Sequence, residues 1–231
     1  NGTYNENINF NGKEIEIYST SGDPTLAIID GGGTGSVVTI ANGESGITTL
    51  NGFTIRNGGG TLGVPSVFSP YAPSSGYYGG GIYCYQSSPL LKNIIVENNT
   101  LSENNNRGGS GAGIYIARST NARIEGPNTI IRNNTNTIYR GGGVCIDNST
   151  VTIDGLAGTV EISNNSGGNY GGGLATFLSN ITLINVNFNN NTANGNNGDG
   201  GGIFRLGYST FNMTNVNYSG NTATRGTNNI N

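Results

Sequence analysis

The chain of 231 residues has no tryptophan and no histidine, holds two cysteines and six prolines, and is only 10 % charged. Each shortage narrows what the protein can do. Without histidine there is no imidazole to act as general base or metal ligand, and polygalacturonase-like sites, which use one, lose a required residue. Cys84 and Cys145 are too few for a disulfide scaffold and lack metal-ligand spacing. The ten Lys and Arg residues are scattered against 13 acidic ones, for a net charge of -3, so no basic field exists for nucleic acid. No apolar run approaches the ~20 residues of a membrane helix, so the chain is not read as membrane-spanning. No signal peptide is visible, which fits numbering that starts in a mature protein. Asn1-Gly2-Thr3-Tyr4 reads as the middle of a coil and Asn231 follows no evident cap, so the expectation is a fragment of a longer chain.

What is abundant is glycine, 41 residues, and asparagine, with Ile, Val, Thr and Tyr in short runs throughout. Disordered chains are poor in β-branched and aromatic residues and rich in charge, so this composition points instead to short strands joined by tight turns. Glycine and asparagine are the residues that tolerate left-handed turn conformations.

Two marks recur. A glycine triplet precedes an aliphatic residue at Gly79-Gly80-Gly81-Ile82, Gly141-Gly142-Gly143-Val144, Gly171-Gly172-Gly173-Leu174 and Gly200-Gly201-Gly202-Ile203, with the variant Gly111-Ala112-Gly113-Ile114. The third glycines are 32, 30, 30 and 29 residues apart. A hydrophobic residue stands three before an asparagine in the pairs Val96 and Asn99, Ile131 and Asn134, Ile162 and Asn165, Phe188 and Asn191, and Tyr218 and Asn221, each followed by Ser or Thr. Strand-like stretches lie between the marks and, in the first sixty residues, at 14–18, 26–30, 37–40 and 50–55; helical spacing is absent.

A repeat of this length predicts a solenoid whose equivalent residues stack from coil to coil at ~4.8 Å. Aligned triplets place Ile82, Ile114, Val144, Leu174 and Ile203 in one inward column and Tyr83, Tyr115, Cys145, Ala175 and Phe204 outward. Cys84 falls inward with Ile116, Ile146, Thr176 and Arg205, two coils from Cys145 and facing the other way, which disfavours a disulfide. Asn99, Asn134, Asn165, Asn191 and Asn221 are expected to form an amide ladder. Arg56, Glu97 and Arg132 share one repeat position with alternating sign and read as structural pairs. The division expected is one β-helix domain over 1–231, with opening coils at 1–58, an aromatic and proline-rich insertion at 59–78, and repeats at 79–231.

These residues resemble the right-handed parallel β-helix repeat proteins, and more closely those carrying the Gly-Gly-Ala-Ile and Phe-x-x-Asn pair of polymorphic outer-membrane proteins. The match spans roughly residues 79 to 221, and Phe188-Asn189-Asn190-Asn191 reproduces the second motif literally. The resemblance implies an all-β, right-handed parallel β-helix, surface display, and adhesion or polysaccharide contact; it specifies fold better than activity.

Candidate chemistry is sparse. Asp147, Asp154 and Glu161 form an evenly spaced acidic series but read as turn and surface carboxylates, as do Asp30 and Asp199. No catalytic residue, metal site or cofactor is assigned. The sequons at Asn98, Asn133, Asn148, Asn180, Asn190 and Asn212 are largely a by-product of the Asn-Asn-Thr mark. The 59–78 insertion, with Pro65, Pro70 and Pro73, offers Phe68, Tyr71, Tyr77 and Tyr78 either as a stacking platform for sugars or a partner protein, or as cover for the flank of the helix. The excursions at 101–110 and 193–198 read as solvent loops. Threonine arrays suited to ice are not read, because the threonines follow the asparagines at irregular spacing and do not form Thr-x-Thr rows. The function expected is a non-enzymatic structural or adhesion module, secreted or on the cell surface, which self-associates end to end into a fibre or meets other surface proteins. The alternative is a carbohydrate-binding or polysaccharide-cleaving β-helix.

Overall fold

The computed structural model describes residues 1–63, 76–102, 108–137 and 139–230. The chain is all-β, and its strands stack in parallel into a β-solenoid of about seven turns. Among the described residues there is no helix, hence none long and apolar enough to cross a membrane. Successive coils supply a 13-stranded sheet, a seven-stranded sheet and a five-stranded sheet of two-residue strands. In the first coils the 13-stranded sheet consists of two columns of short strands. These merge in the last two coils into Asn180–Asn189 and Thr210–Ser219, where the intervening corner shrinks to a single left-handed asparagine, Asn185 or Asn215. The stretch 50–55, expected as one strand, is two, Thr49–Asn51 and Thr54–Arg56, because Gly52 turns the chain with a φ of 80°.

Strand alternation sends every second side chain inward, and register keeps the inward ones apolar. Ile82, Ile114, Val144, Leu174 and Ile203 pair in sequence along the seven-stranded sheet. Leu50, Leu91, Ile124, Ile153 and Leu183 form a second column, and Ile55, Val96, Ile131, Ile162 and Phe188 a third. All fifteen are closed to solvent, and each contributes about 1.5–3 kcal/mol of burial free energy.

The hydrophobic-x-x-Asn mark has a specific bonding logic. Each asparagine side chain donates from Nδ2 to Oδ1 of the asparagine one coil on: Asn99 to Asn134 at 2.9 Å, Asn134 to Asn165, Asn165 to Asn191 and Asn191 to Asn221 at 3.0 Å. The same Nδ2 also donates to the backbone oxygen of the motif's hydrophobic residue one coil back, as Asn165 does to Ile131 at 2.8 Å and Asn191 to Ile162 at 2.8 Å. The asparagine's own N–H donates to the next Oδ1, for example Asn134 to Asn165 at 3.0 Å. Buried corner amides are thereby satisfied without water. At the start of the ladder Gly58 stands in the asparagine position, and its N–H donates to Asn99 Oδ1 at 2.8 Å.

The glycine mark is tied to the same ladder. A Cβ added at Gly81, Gly113, Gly143, Gly173 or Gly202 would lie 2.8 to 3.3 Å from Nδ2 of the ladder asparagine, tighter than ordinary packing permits. The two marks keep phase because they touch. The first glycine of each triplet has a φ between 57° and 69°, which folds the preceding residue back over the outer face of the seven-stranded sheet.

That turn corrects the outward column. Tyr83, Tyr115, Cys145, Ala175 and Phe204 do face away from the main core, yet none is more than 8 % exposed. Tyr78, Ser110, Arg140, Tyr170 and Asp199, each just before a triplet, pair with one another as a covering layer. Tyr78 packs 4.7 Å from Tyr115, and Tyr170 lies 4.5 Å from Phe204. The 101–110 excursion is therefore more than a solvent loop, since Gly108–Ser110 returns as a buried strand. Arg205 differs in the other direction: it occupies an inward register next to Thr176 but is exposed. A guanidinium without a buried partner is costly to desolvate, and at the last coils it reaches water.

A second polar column, unread in the sequence, lies at the corner after the seven-stranded sheet. Ser119, Ser149 and Ser179 each donate their N–H to Oγ of the next serine, ending at Ser209, over 3.0 to 3.1 Å. The signal was available as a serine every 30 residues behind a left-handed Arg118, Asn148 or Leu178.

Candidate functional site

Phe68 and Tyr71 lie outside the described residues. Tyr77 and Tyr78 sit on Gly76–Tyr78, which pairs antiparallel with Thr61–Gly63 and parallel with Gly108–Ser110. Alternation sends the two rings opposite ways. Tyr78 is buried, and that burial holds its hydroxyl well above the ordinary tyrosine pKa. It packs the covering layer and offers no platform. Tyr77 is half-buried and lines an open groove of about 600 Å³. The other walls are Gly32–Gly35, Asn57–Gly60, Asn98, Thr100 and Ser102. The glycine stretches are strapped together where Gly59 and Gly60 donate to the Gly35 carbonyl at 2.8 and 2.9 Å. Six of the twelve described lining residues are glycines, so peptide groups of the floor lie beside the Tyr77 ring.

The groove opens onto two polar columns that register creates. Thr100, Thr135, Ser166, Thr192 and Thr222 pair in sequence along the five-stranded sheet. Their inward neighbours include Leu101 and Ala193, which are buried. Beside them run Asn57, Asn98, Asn133, Asn164 and Asn190, all exposed and all left-handed with φ of 54° to 57°. Register thus brings irregularly spaced threonines into a single hydroxyl column. Their sequence intervals of 35, 31, 26 and 30 are irregular only because loops of different length leave the coils elsewhere, as between Asp154 and Val160. The ladder asparagines keep the same irregular intervals with constant hydrogen bonds.

The acidic series does not converge. Asp147 lies on the buried outer face of the seven-stranded sheet, whereas Asp154 and Glu161 belong to the 13-stranded sheet. Burial raises the Asp147 carboxyl, against the lowering effect of Arg140 and of the Tyr115 hydroxyl, which donates to it at 3.3 Å. Asp154 accepts from the Leu156 N–H at 2.7 Å and Glu161 from Asn189 Nδ2 at 2.7 Å. Asp199 accepts the N–H groups of Gly200 and Thr227 at 2.8 and 2.9 Å. Arg132 pairs with Glu97 at 2.7 Å and Arg56 with Asp30 at 2.9 Å.

Cys84 sits in the main core and Cys145 in the outer layer, both as free thiols; burial pushes both up, Cys145 to about 12. Among the described residues no group of three or more potential metal ligands occurs. The arrangement as a whole offers hydrogen bonds and ring stacking to a neutral polar ligand. Set beside known proteins, the chain matches no protein-family model, no curated protein and no solved structure, and its function is argued from this geometry.

Proposed function

We propose that this chain is a non-enzymatic structural or adhesion module of a secreted or cell-surface protein, and that copies stack end to end into a fibre. The supporting observation is the constancy of the coil. The inward column from Ile82 to Ile203 and the amide ladder from Asn99 to Asn221 pass through successive coils with one register and one set of hydrogen bonds. In the long strand Thr210–Ser219 the inward positions are Phe211, Met213, Val216 and Tyr218. A solenoid propagates by translation, and strand pairing that adds one coil to the next can add a coil of another copy; such a heterologous contact does not close and yields a filament. The glycine and asparagine marks support kinship with the polymorphic outer-membrane type of surface protein, and other surface proteins are natural partners.

The test is the assembly state of the 231-residue chain over a concentration series, by sedimentation velocity and negative-stain microscopy. Fibres with a long axial dimension are expected, and Val216→Lys, which puts a charge in an inward apolar column, should disperse them while Asn212→Lys on the solvent side does not. A wild-type chain that stays monomeric at millimolar concentration refutes the reading.

A second reading, carbohydrate contact, is favoured by one observation: the groove beside Tyr77. Glycoside hydrolysis needs two carboxylates about 5 to 9 Å apart. The described lining of the groove offers hydroxyls, amides and the Tyr77 ring, so the reading developed from it is binding.

A further inference from the structure

We infer that the Tyr77 groove and the two columns leading from it form one track, and that its ligand is an extended, neutral, β-linked polysaccharide. The inference rests on the carbohydrate reading and specifies its site and ligand class. Three features of the molecule meet here. The first is shape: a groove of about 600 Å³ crosses the early coils and contains Asn57, Asn98 and Thr100, which are members of the two columns. Groove and columns are therefore continuous, and the columns advance by ~4.8 Å per coil, about 19 Å over four steps.

The second feature is unspent bonding capacity. The inner asparagines use their amides on one another, but the outer ones do not: the side chains of Asn98, Asn133, Asn164 and Asn190, and the hydroxyls of the Thr100 column, have no hydrogen-bond partner among the described residues. Asn57 alone in its column is engaged, donating to Asp30 at 2.8 Å. Each free amide offers donors and an acceptor and each hydroxyl both roles, which matches the hydroxyls along the edge of a sugar chain. The left-handed backbone and the strand register fix the positions from which these side chains project, so only their side-chain rotamers are ordered on binding.

The third feature is charge and aromaticity. Among the described residues neither the groove lining nor either column holds a cation, and the nearest charge is the Asp30 carboxylate bonded to Asn57, so an anionic polyuronate is disfavoured. Tyr77 supplies the ring face on which a pyranose stacks. A β-1,4-linked chain is a straight ribbon that advances by nearly one ring per coil, so successive sugars meet successive Asn and Thr pairs.

The experiment measures binding of cello-oligosaccharides, chito-oligosaccharides and polygalacturonate by calorimetry, and of the corresponding insoluble polymers by pull-down. Affinity for a neutral β-linked glycan is expected, weakened about tenfold by Tyr77→Ala and about tenfold by Thr135→Val with Thr192→Val. The valine pair keeps β-branching, so the fold is preserved, and Thr182→Val on the 13-stranded sheet should leave binding unchanged. Neutral-glycan binding that ignores the Tyr77 and valine variants overturns the track while leaving the carbohydrate reading in place. Preference for polygalacturonate overturns the ligand class. No glycan binding at all overturns both, and inhibition of ice growth in its place assigns the hydroxyl array to ice.

Discussion

Replacing Asn165 by leucine should destabilise the middle of the solenoid by about 4 kcal/mol. Asn165 is 1 % exposed and sits in the centre of the ladder. Its Nδ2 donates to Ile131 O at 2.8 Å and to Asn191 Oδ1 at 3.0 Å, and its Oδ1 accepts Asn134 N and Asn134 Nδ2, both at 3.0 Å. Leucine removes all four bonds and leaves the Asn134 N–H without its acceptor, at about 1–3 kcal/mol. The bonds removed from Asn134 Nδ2 and Asn191 Oδ1 add roughly 0.5–1.5 kcal/mol each. For a chain of this size the total lowers the melting temperature by about 10 °C. Because solenoid stability is a sum over neighbouring coils, hydrogen exchange should quicken first in the strands flanking residues 131, 165 and 191.

Two companion variants isolate the cause. Asn164→Gly removes an exposed side chain at a φ of 54°, suits that conformation, and should change stability by less than about 0.5 kcal/mol. Asn165→Asp keeps the acceptor but sets a buried carboxylate against Ile131 O and Asn191 Oδ1, so its folded-state pKa is raised. A raised carboxyl contributes stability that is present below the unfolded value of about 3.9 and lost as pH rises through the folded value. This variant should therefore be more stable in acid than at neutrality, relative to wild type. Asn165→Leu behaving like Asn164→Gly, or an Asp variant most stable at neutral pH, refutes the ladder as a source of stability.

Gly143→Ala should cost about 1–3 kcal/mol in urea denaturation, since the new Cβ would lie 2.9 Å from Asn165 Nδ2. In an Asn165→Ala background the cost should fall but not vanish, because the Gly173 carbonyl remains 2.6 Å away; simple additivity of the two changes counts against the contact. Glu44 is 1 % exposed; burial works to raise its carboxyl, but bonds from Ser87 Oγ and Asn42 N at 2.7 Å and from Gly12 N at 2.8 Å outweigh this and hold it below the ordinary glutamate value. Its stabilisation is present above the unfolded value of about 4.3 and is lost as pH falls through the folded value. Melting temperatures followed from pH 7 down to about pH 3 should show a wild-type loss that Glu44→Gln lacks, with the glutamine variant about 1–3 kcal/mol less stable at neutrality. Parallel pH curves for the two proteins refute this role.

The sequence alone determined the solenoid and much of its wall, because repetition writes tertiary contacts into the chain. A parallel stack places equivalent residues next to one another, so the Gly81 and Asn99 positions had to recur together. The inward column from Ile82 to Ile203 follows from the same register. The Ser119 corner was legible too, but its single small residue is easily passed over among so many serines and threonines.

What only the tertiary structure decided is how the chain covers its own outer face and what it leaves open. Period-2 alternation says that Tyr115 and Cys145 point away from the core; it cannot say that the left-handed turns at Gly111 and Gly141 lay Ser110 and Arg140 over that face. The same turn geometry buries Tyr78 and leaves its neighbour Tyr77 beside the groove. The hydroxyl column from Thr100 to Thr222 is hidden by intervals of 35, 31, 26 and 30 residues, since a loop that leaves the coil lengthens the sequence without moving the strand. Sequence spacing counts residues along the chain, whereas the surface is set by which backbone groups hydrogen-bond across coils, and only the folded stack equates the two.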